Sequence, residues 1–233
     1  MLDRRMNASG IPVTTESLKG DTTVQEPDRA GRAIARRSAE IRATIPDLEL
    51  STDADAGALL ARATREGVST TAVLVSACAA ALREFPRVNG AYRDGRYELY
   101  GRVNVGLLIH TPDAQVTATL LDADRRSLPQ LDEEVRRLSA RVQSGELTPP
   151  EQAGATFTLA DLGPFGVHRA AGLVIPSQAA VLTAGAIRDV PVVREGTVAP
   201  GHQLTLTLTS DHRIVYGAQA AAFLGRVVEL VQT

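Results

Sequence analysis

The chain has 233 residues, of which 44% are hydrophobic, a composition typical of a globular protein with a substantial core. Its 25 basic and 27 acidic residues nearly balance, which argues against a nucleic-acid or anionic-membrane partner. The one cysteine, Cys78, lies in an apolar run and excludes an internal disulfide or a multi-cysteine zinc site. We expect a cytoplasmic protein, because no apolar stretch is as long as a membrane span and the N-terminus does not resemble a secretion signal.

The N-terminal half predicts an arm followed by three helices. Residues 1–27 are polar, contain glycine and proline and lack hydrophobic periodicity, so they are predicted to be a flexible arm ahead of a single domain. One helix is expected from Asp28 until Pro46 stops it, and a second over about 53–66. The segment 69–84 is apolar nearly all round, which predicts a helix buried on most sides.

The middle of the chain changes to the period of two that is typical of strands. A hairpin is expected to turn at Asp94–Gly95, and strands are expected over 103–109 and near 116–121. Apolar residues then recur at helical spacing over 128–143, and Gly145 ends that helix.

The last third predicts three strands and a terminal helix, over 156–159, 179–188, 203–210 and 217–231. Helices and strands that do not alternate strictly predict an α+β domain with a mixed β-sheet covered by helices on one face. Three leucines alternate with three threonines in the last strand, which gives that strand one apolar and one polar face.

A histidine, His212, follows this strand shortly before the terminal helix. A lone histidine at such a boundary is usually a structural residue. Its surroundings, however, resemble the signature of the acyltransferase catalytic domain of 2-oxoacid dehydrogenase complexes, which is related in fold to chloramphenicol acetyltransferase. The segments that carry the resemblance, in order, are GRAIARR (31–37), TIP (44–46), LREFPRVN (82–89), RVNVG (102–106), DAD (122–124), TFTLADLGPFG (156–166) and LTLTLTSDHRIVYGAQAAAFL (204–224). Residues 28–233 are therefore expected to form an acyltransferase catalytic domain.

The resemblance implies that His212 is the general base of an acyl transfer. A thiol or hydroxyl attacks a thioester carbonyl only weakly until a neutral imidazole accepts its proton, and such a base contributes roughly 10²- to 10⁴-fold. The implied acyl donor is acetyl-CoA, and no metal is implied. The attack forms an oxyanion that needs hydrogen-bond donors already in place.

Two residues depart from the family's pattern within the expected site. Tyr216 stands four residues after the histidine, where the family usually has aspartate or asparagine, and its phenol can still donate or accept a hydrogen bond. Ala160 stands where the family has the serine that stabilises the oxyanion. Thr158, two residues earlier on the same strand face, or a backbone N–H is the expected substitute.

The remaining candidate residues carry weaker expectations. Asp211 and Arg213 are expected to make structural contacts at the strand end. Arg37, in an arginine-rich helix, is a candidate for binding the phosphates of coenzyme A, and the resemblance adds Asp161 as a cofactor-binding candidate. Three further histidines lack metal-ligand spacing and are expected to be ordinary surface residues: His110, His168 and His202.

The resemblance also implies a homotrimer with the active site at the subunit interface. The family's larger cages depend on hydrophobic residues after the terminal helix, so we expect none from a chain ending in Val-Gln-Thr. The sequence shows no lipoyl domain, which favours a stand-alone enzyme that acetylates a small hydroxyl acceptor, such as a tetronate in a natural-product (antibiotic) pathway.

Three alternatives remain open at this point. One is that the chain is the dihydrolipoamide acyltransferase core of a 2-oxoacid dehydrogenase complex, either excised or working with a separate lipoyl protein. The departures at Ala160 and Tyr216 are also compatible with a non-catalytic scaffold subunit. The third alternative is a condensation-type amide or ester synthase of related fold, although those enzymes carry paired histidines and Asp211 precedes His212 here.

Overall fold

The computed structural model describes residues 20, 23–111 and 115–233. Its helices are α1 (Arg29–Thr44), α2 (Gly57–Glu66), α3 (Thr70–Glu84), α4 (Leu128–Gln143) and α5 (Gly217–Gln232). Its strands are β1 (Asp47–Asp55), β2 (Gly90–Arg93), β3 (Arg96–Leu99), β4 (Val105–His110), β5 (Gln115–Leu120), β6 (Phe157–Asp161), β7 (Ala180–Ala184), β8 (Arg188–Arg194) and β9 (Thr197–Asp211). The boundary between two compact units falls after Ser38, and everything described below belongs to the second unit unless α1 is named.

Seven strands form one mixed sheet in the order β1-β9-β7-β6-β4-β5, with β8 paired to the first part of β9. β6 runs parallel to β4 and β7, and the other pairs are antiparallel. β2 and β3 form a separate hairpin that turns at Asp94 and Gly95, both with positive φ, as predicted. The predicted α+β class with a mixed sheet is confirmed.

One face of the sheet is apolar and packs against the helices. The three leucines of β9 are buried in the main core, and Phe223 of α5 packs its ring 5.7 Å from that of Phe157 on β6. α3 lies in the same core, begins with Ser69 accepting a hydrogen bond from the Ala72 N–H, and buries Cys78 completely. Burial raises the pKa of the Cys78 thiol to about 12, which suits a packing role.

The opposite face of the sheet carries the threonines predicted for it. On β9, the Thr205 hydroxyl donates to Asp53 of β1 at 2.6 Å, and the Thr207 hydroxyl lies 2.9 Å from that of Ser51. Alternation in the sequence therefore assigns the two faces of β9 correctly, because successive side chains of a strand point in opposite directions.

The prediction of a helix beginning near residue 53 is wrong, because residues 47–55 form β1 and the helix begins at Gly57. β1 is an edge strand that is at most half-buried along most of its length, so its sequence lacks a strong apolar alternation. Its structure is set by pairing with β9 along its whole length. The arm predicted for 1–27 lies largely outside the described residues and stays a prediction.

The expected strand over 179–188 is two strands, β7 and β8, separated at Gly185. A side chain at Gly185 would meet the backbone oxygen of His168, so the crossing of two backbones requires glycine here. β9 is longer than expected because it pairs with β8 through a hairpin that turns at Glu195 and Gly196, both with positive φ.

Candidate active site

The turn after β9 holds His212 on a firmly bonded backbone. The His212 N–H donates to the Pro46 carbonyl at 2.9 Å, and the Asp211 N–H donates to the Ala179 carbonyl at 2.8 Å. The Asp211 carboxylate is 2% exposed and accepts hydrogen bonds from the backbone N–H and the guanidinium of Arg213. These bonds raise the pKa of the Arg213 guanidinium. The structure thus gives Asp211 and Arg213 the structural contacts expected of them, while the imidazole of His212 is exposed.

Tyr216 links the imidazole to a further tyrosine and an arginine. The His212 ring lies edge-to-face with the Tyr216 ring, with centroids 5.8 Å apart. The Tyr216 hydroxyl oxygen lies 2.7 Å from that of Tyr97, on β3. The guanidinium of Arg87 lies 5.1 Å from the Tyr97 ring centroid and 5.9 Å from that of Tyr216. We call these four residues the aromatic cluster.

The β2–β3 hairpin that supplies Tyr97 is tied to the rest of the unit. The side-chain amide of Asn89, just before β2, donates to the carbonyls of Tyr100 and Arg102 at 3.0 and 2.8 Å. The Arg213 guanidinium also lies 4.6 Å from the ring centroid of Tyr92 on β2. The sequence analysis does not predict that this hairpin lies beside the turn that carries His212 and Tyr216. Arg87 and Asn89 nevertheless lie within the LREFPRVN segment that resembles the family.

Strand β6 presents the other expected site residues differently. Thr158 is fully buried, and its hydroxyl donates to the side-chain oxygen of Gln178 at 2.7 Å. Asp161 lies on the opposite face of the strand, where it accepts hydrogen bonds from the Thr71 hydroxyl at 2.7 Å and the Gly163 N–H at 3.0 Å. The structure therefore brings His212 and Tyr216 together but gives Thr158 and Asp161 partners inside the fold.

A hydroxyl that the sequence analysis did not single out lies beside Ala160. Thr183 of β7 is the direct cross-strand neighbour of Ala160, and both are buried. The Thr183 hydroxyl has no hydrogen-bond partner in the described part of the chain, and a side-chain carbon at Gly172 would lie 3.4 Å from it. Only the strand register shows this proximity, so the sequence pattern held no signal for it.

The three other histidines have partners away from the aromatic cluster. Arg37 is exposed on α1. His168 lies 3.2 Å from the Thr205 hydroxyl, and His202 pairs with Asp189 at 2.8 Å. His110 packs its ring against Phe165. Within residues 20, 23–111 and 115–233, no three potential metal ligands cluster together, and no helix combines the length and apolarity needed to cross a membrane.

The match to a protein-family model identifies the family to which the chain belongs. The model described as 2-oxoacid dehydrogenases acyltransferase (catalytic domain) matches residues 19–233. The chain belongs to this acyltransferase family. The resemblance found in the sequence motifs is thereby confirmed at the level of the family, and the domain is an acyltransferase catalytic domain.

Named relatives of this acyltransferase domain come from pyruvate dehydrogenase complexes. The chain is 34% identical, over 75% of its length, to the chloroplastic dihydrolipoyllysine-residue acetyltransferase component 4 of Arabidopsis thaliana. It is 29% identical, over 97% of its length, to the corresponding component of Zymomonas mobilis. The chain spans only 37% and 54% of the lengths of these two relatives.

Solved structures confirm the fold of the acyltransferase domain. The dihydrolipoamide acetyltransferase of Azotobacter vinelandii is 26% identical, with a TM-score of 0.86 over 95% of this chain and 96% of that one. The cubic core of a pyruvate dehydrogenase complex gives 27% identity and a TM-score of 0.84 over 92% and 93%. A chloramphenicol acetyltransferase, 17% identical over 84% and 94%, shares the fold with a TM-score of 0.54.

The Azotobacter vinelandii enzyme has been studied for the role of a serine, a histidine and an asparagine in its catalytic mechanism. In that protein the serine precedes the histidine by 52 residues, and the asparagine follows it by four. In this chain the residue 52 positions before His212 is Ala160, and the residue four positions after it is Tyr216.

Proposed function

We propose that this domain transfers an acyl group, acetyl in the first instance, between coenzyme A and a thiol of a dihydrolipoyl group. The observation that carries the proposal is the exposed imidazole of His212, held by the bonded turn after β9 in a domain of the acyltransferase family. An exposed imidazole is accessible to substrate, and the bonded backbone fixes the point from which its side chain extends, as suits a general base.

The proposed chemistry uses one proton and one tetrahedral intermediate. The His212 imidazole accepts the proton of the attacking thiol, and the sulfur forms a bond to the thioester carbonyl carbon. The carbonyl electron pair moves to oxygen and returns when the carbon–sulfur bond to coenzyme A breaks. The imidazolium then gives its proton to the departing thiolate, so the base is regenerated.

The dihydrolipoyl acceptor is favoured by the relatives. Those described above are named for acetyl transfer to dihydrolipoyl groups, and their similarity to this chain covers most of its length. This acceptor replaces the tetronate hydroxyl as our first proposal.

A hydroxyl acceptor remains the second candidate, and one observation favours it. At the positions 52 before and four after the histidine, where the Azotobacter enzyme has serine and asparagine, this chain has Ala160 and Tyr216, so its site offers different polar groups to an acceptor. A hydroxyl of a tetronate-type small molecule would occupy the place of the thiol, and His212 would accept its proton in the same way.

The assembly follows from the same relationship. We propose a homotrimer with the active site at the subunit interface, supported by the similarity to the cubic core of a pyruvate dehydrogenase complex. The cytoplasmic location, and the contacts of Arg37 and Asp161 with coenzyme A, stay predictions. Because the chain spans about half or less of its curated relatives, the wider complex is a proposal as well.

The decisive experiment measures acyl transfer from acetyl-CoA to dihydrolipoamide and to a panel of hydroxylated tetronates. We expect turnover of dihydrolipoamide by the wild type and a loss of about 100-fold or more in kcat for His212→Ala. His202→Ala is the matched control, since His202 is also exposed but pairs with Asp189. Equal rates for the wild type and His212→Ala would refute the proposal, and turnover of tetronates alone would establish the second candidate.

A further inference from the structure

The position of Ala160 leaves the oxyanion without a side-chain donor from that residue. Of the threonines nearest to it on the same sheet face, Thr158 already donates its hydroxyl hydrogen to Gln178. Thr183 is 2% exposed, and its hydroxyl lies close to the backbone at Gly172. Neither of these hydroxyls is both unbonded and accessible, so neither is well placed to donate to a substrate oxygen.

The Tyr97–Tyr216 pair provides an accessible donor. Two hydroxyl oxygens 2.7 Å apart share one hydrogen, so one of the two hydroxyls keeps its own hydrogen for a further bond. When Tyr97 donates to Tyr216, the Tyr216 hydroxyl keeps its own hydrogen for a further bond. The Tyr216 side chain is 45% exposed, next to the exposed imidazole of His212.

Arg87 strengthens this donor. Its guanidinium lies near both tyrosine rings and has no carboxylate partner among the residues that the structure describes. A half-buried cation without an acidic partner favours negative charge on nearby phenol oxygens. A phenol that also accepts a hydrogen bond becomes a better donor, because chains of hydrogen bonds polarise one another.

We infer that the Tyr216 hydroxyl donates a hydrogen bond to the oxyanion and replaces the serine absent at position 160, with Tyr97 and Arg87 as positioning residues. The inference rests on the proposed function. As the acceptor attacks and His212 takes its proton, the carbonyl electron pair moves to oxygen, where the Tyr216 O–H stabilises it. No proton leaves Tyr216, and the hydrogen bond weakens again when the thiolate of coenzyme A departs.

The test combines removal of the phenol hydroxyl with return of the serine. Tyr216→Phe keeps the ring against His212 and is expected to lower kcat about 100-fold with little change in KM, because a donor that acts on the oxyanion acts mainly in the transition state. Ala160→Ser in the Tyr216→Phe background is expected to restore at least about tenfold. The same serine should change kcat by less than about twofold when Tyr216 is intact, so rescue confined to the Tyr216→Phe background would show that the two groups share one role.

Variants of the neighbours separate positioning from direct contact. Tyr97→Phe is expected to lower kcat about tenfold, since Tyr216 keeps its hydroxyl but loses its polarising donor. Arg87→Lys is expected to keep more activity than Arg87→Met, because only the former retains the charge. Thr183→Val is the matched control on the sheet and should leave kcat within about twofold of wild type.

The inference is overturned by a Tyr216→Phe variant with wild-type kcat, by failure of Ala160→Ser to rescue it, or by a large loss in Thr183→Val. Thermal unfolding of each variant identifies any that fail to fold, and Tyr97→Phe then carries the test. Failure of this inference can be distinguished from failure of the proposed function. In the first case His212→Ala still abolishes transfer, and in the second the wild type shows no transfer dependent on His212.

Discussion

The turn after β9 and strand β6 both carry positions that the family uses in catalysis, but polar side chains are exposed on the turn and buried on the strand. On the turn, His212 and Tyr216 are exposed, and the buried carboxylate of Asp211 bonds the backbone and Arg213. On β6, Thr158 and Ala160 are buried, and the threonine hydroxyl is bonded inside the fold.

The difference shows where a catalytic group can be replaced in this fold. A turn combines an exposed side chain with a fixed backbone, so it can gain or exchange polar groups without burying an unpaired one. A polar atom at a buried strand position loses its bonds to water, so leaving it without a partner costs free energy. Loss of a serine from β6 is therefore compensated more readily from the turn than from the strand itself.

The largest stability effect is expected on the turn. Asp211→Ala leaves Arg213 without its carboxylate and the turn without its anchor, and should lower the free energy of unfolding by about 2 kcal/mol. This value is below that of a fully buried pair because the Arg213 side chain is 32% exposed. Urea unfolding measures it, with Asp189→Ala at the exposed His202 pair as the control, expected to change stability by less than about 0.5 kcal/mol. Equal losses in the two variants would show that the turn is not specially anchored.

A smaller effect is expected on β6 from Thr158→Val, which keeps the shape but removes the donor to Gln178. The side-chain oxygen of Gln178 is left buried without its partner, so unfolding should become easier by about 1 kcal/mol. Thermal or urea unfolding and steady-state kinetics measure the two consequences separately. We expect kcat within about threefold of wild type. A far larger fall in kcat would indicate that Thr158 stabilises the oxyanion, and that the donor lies on β6 and not on the turn.

The smallest effect is expected from Ala160→Ser in the otherwise unchanged chain. The new hydroxyl would lie beside the unpartnered hydroxyl of Thr183, which offers it a hydrogen bond, so stability should change by less than about 0.5 kcal/mol. With Tyr216 intact, kcat should rise or fall by less than about twofold. A gain of more than tenfold, measured by steady-state kinetics, would show that the turn compensates poorly for the missing serine.

The sequence predicted the elements whose apolar pattern is strong. α3 and α4 were placed within a residue or two because their buried positions recur at helical spacing, and β9 was assigned its two faces from alternating leucine and threonine. β1 could not be predicted in the same way, since it is an edge strand with weak alternation and several acidic residues. The division at Gly185 depends on a neighbouring backbone, which no local pattern contains.

The same distinction holds for the site. His212 was found because a local segment, 204–224, resembles the family, and the departure at Tyr216 was visible in that segment. The contact between Tyr97 and Tyr216 joins residues 119 positions apart, and the neighbour of Ala160 depends on register between β6 and β7. Contacts of this kind are set by tertiary packing, so propensity and periodicity cannot reveal them.

Asn89 joins the two ends of the β2–β3 hairpin. Its one amide group bonds two carbonyls beyond β3, so the two strands cannot separate at the base without breaking both bonds. The amides of β2 and β3 are therefore expected to share one protection level in hydrogen exchange. Because Tyr97 lies on β3, separation of the two strands should also take it away from Tyr216, so the stability of the hairpin base is expected to set how often that pair is formed.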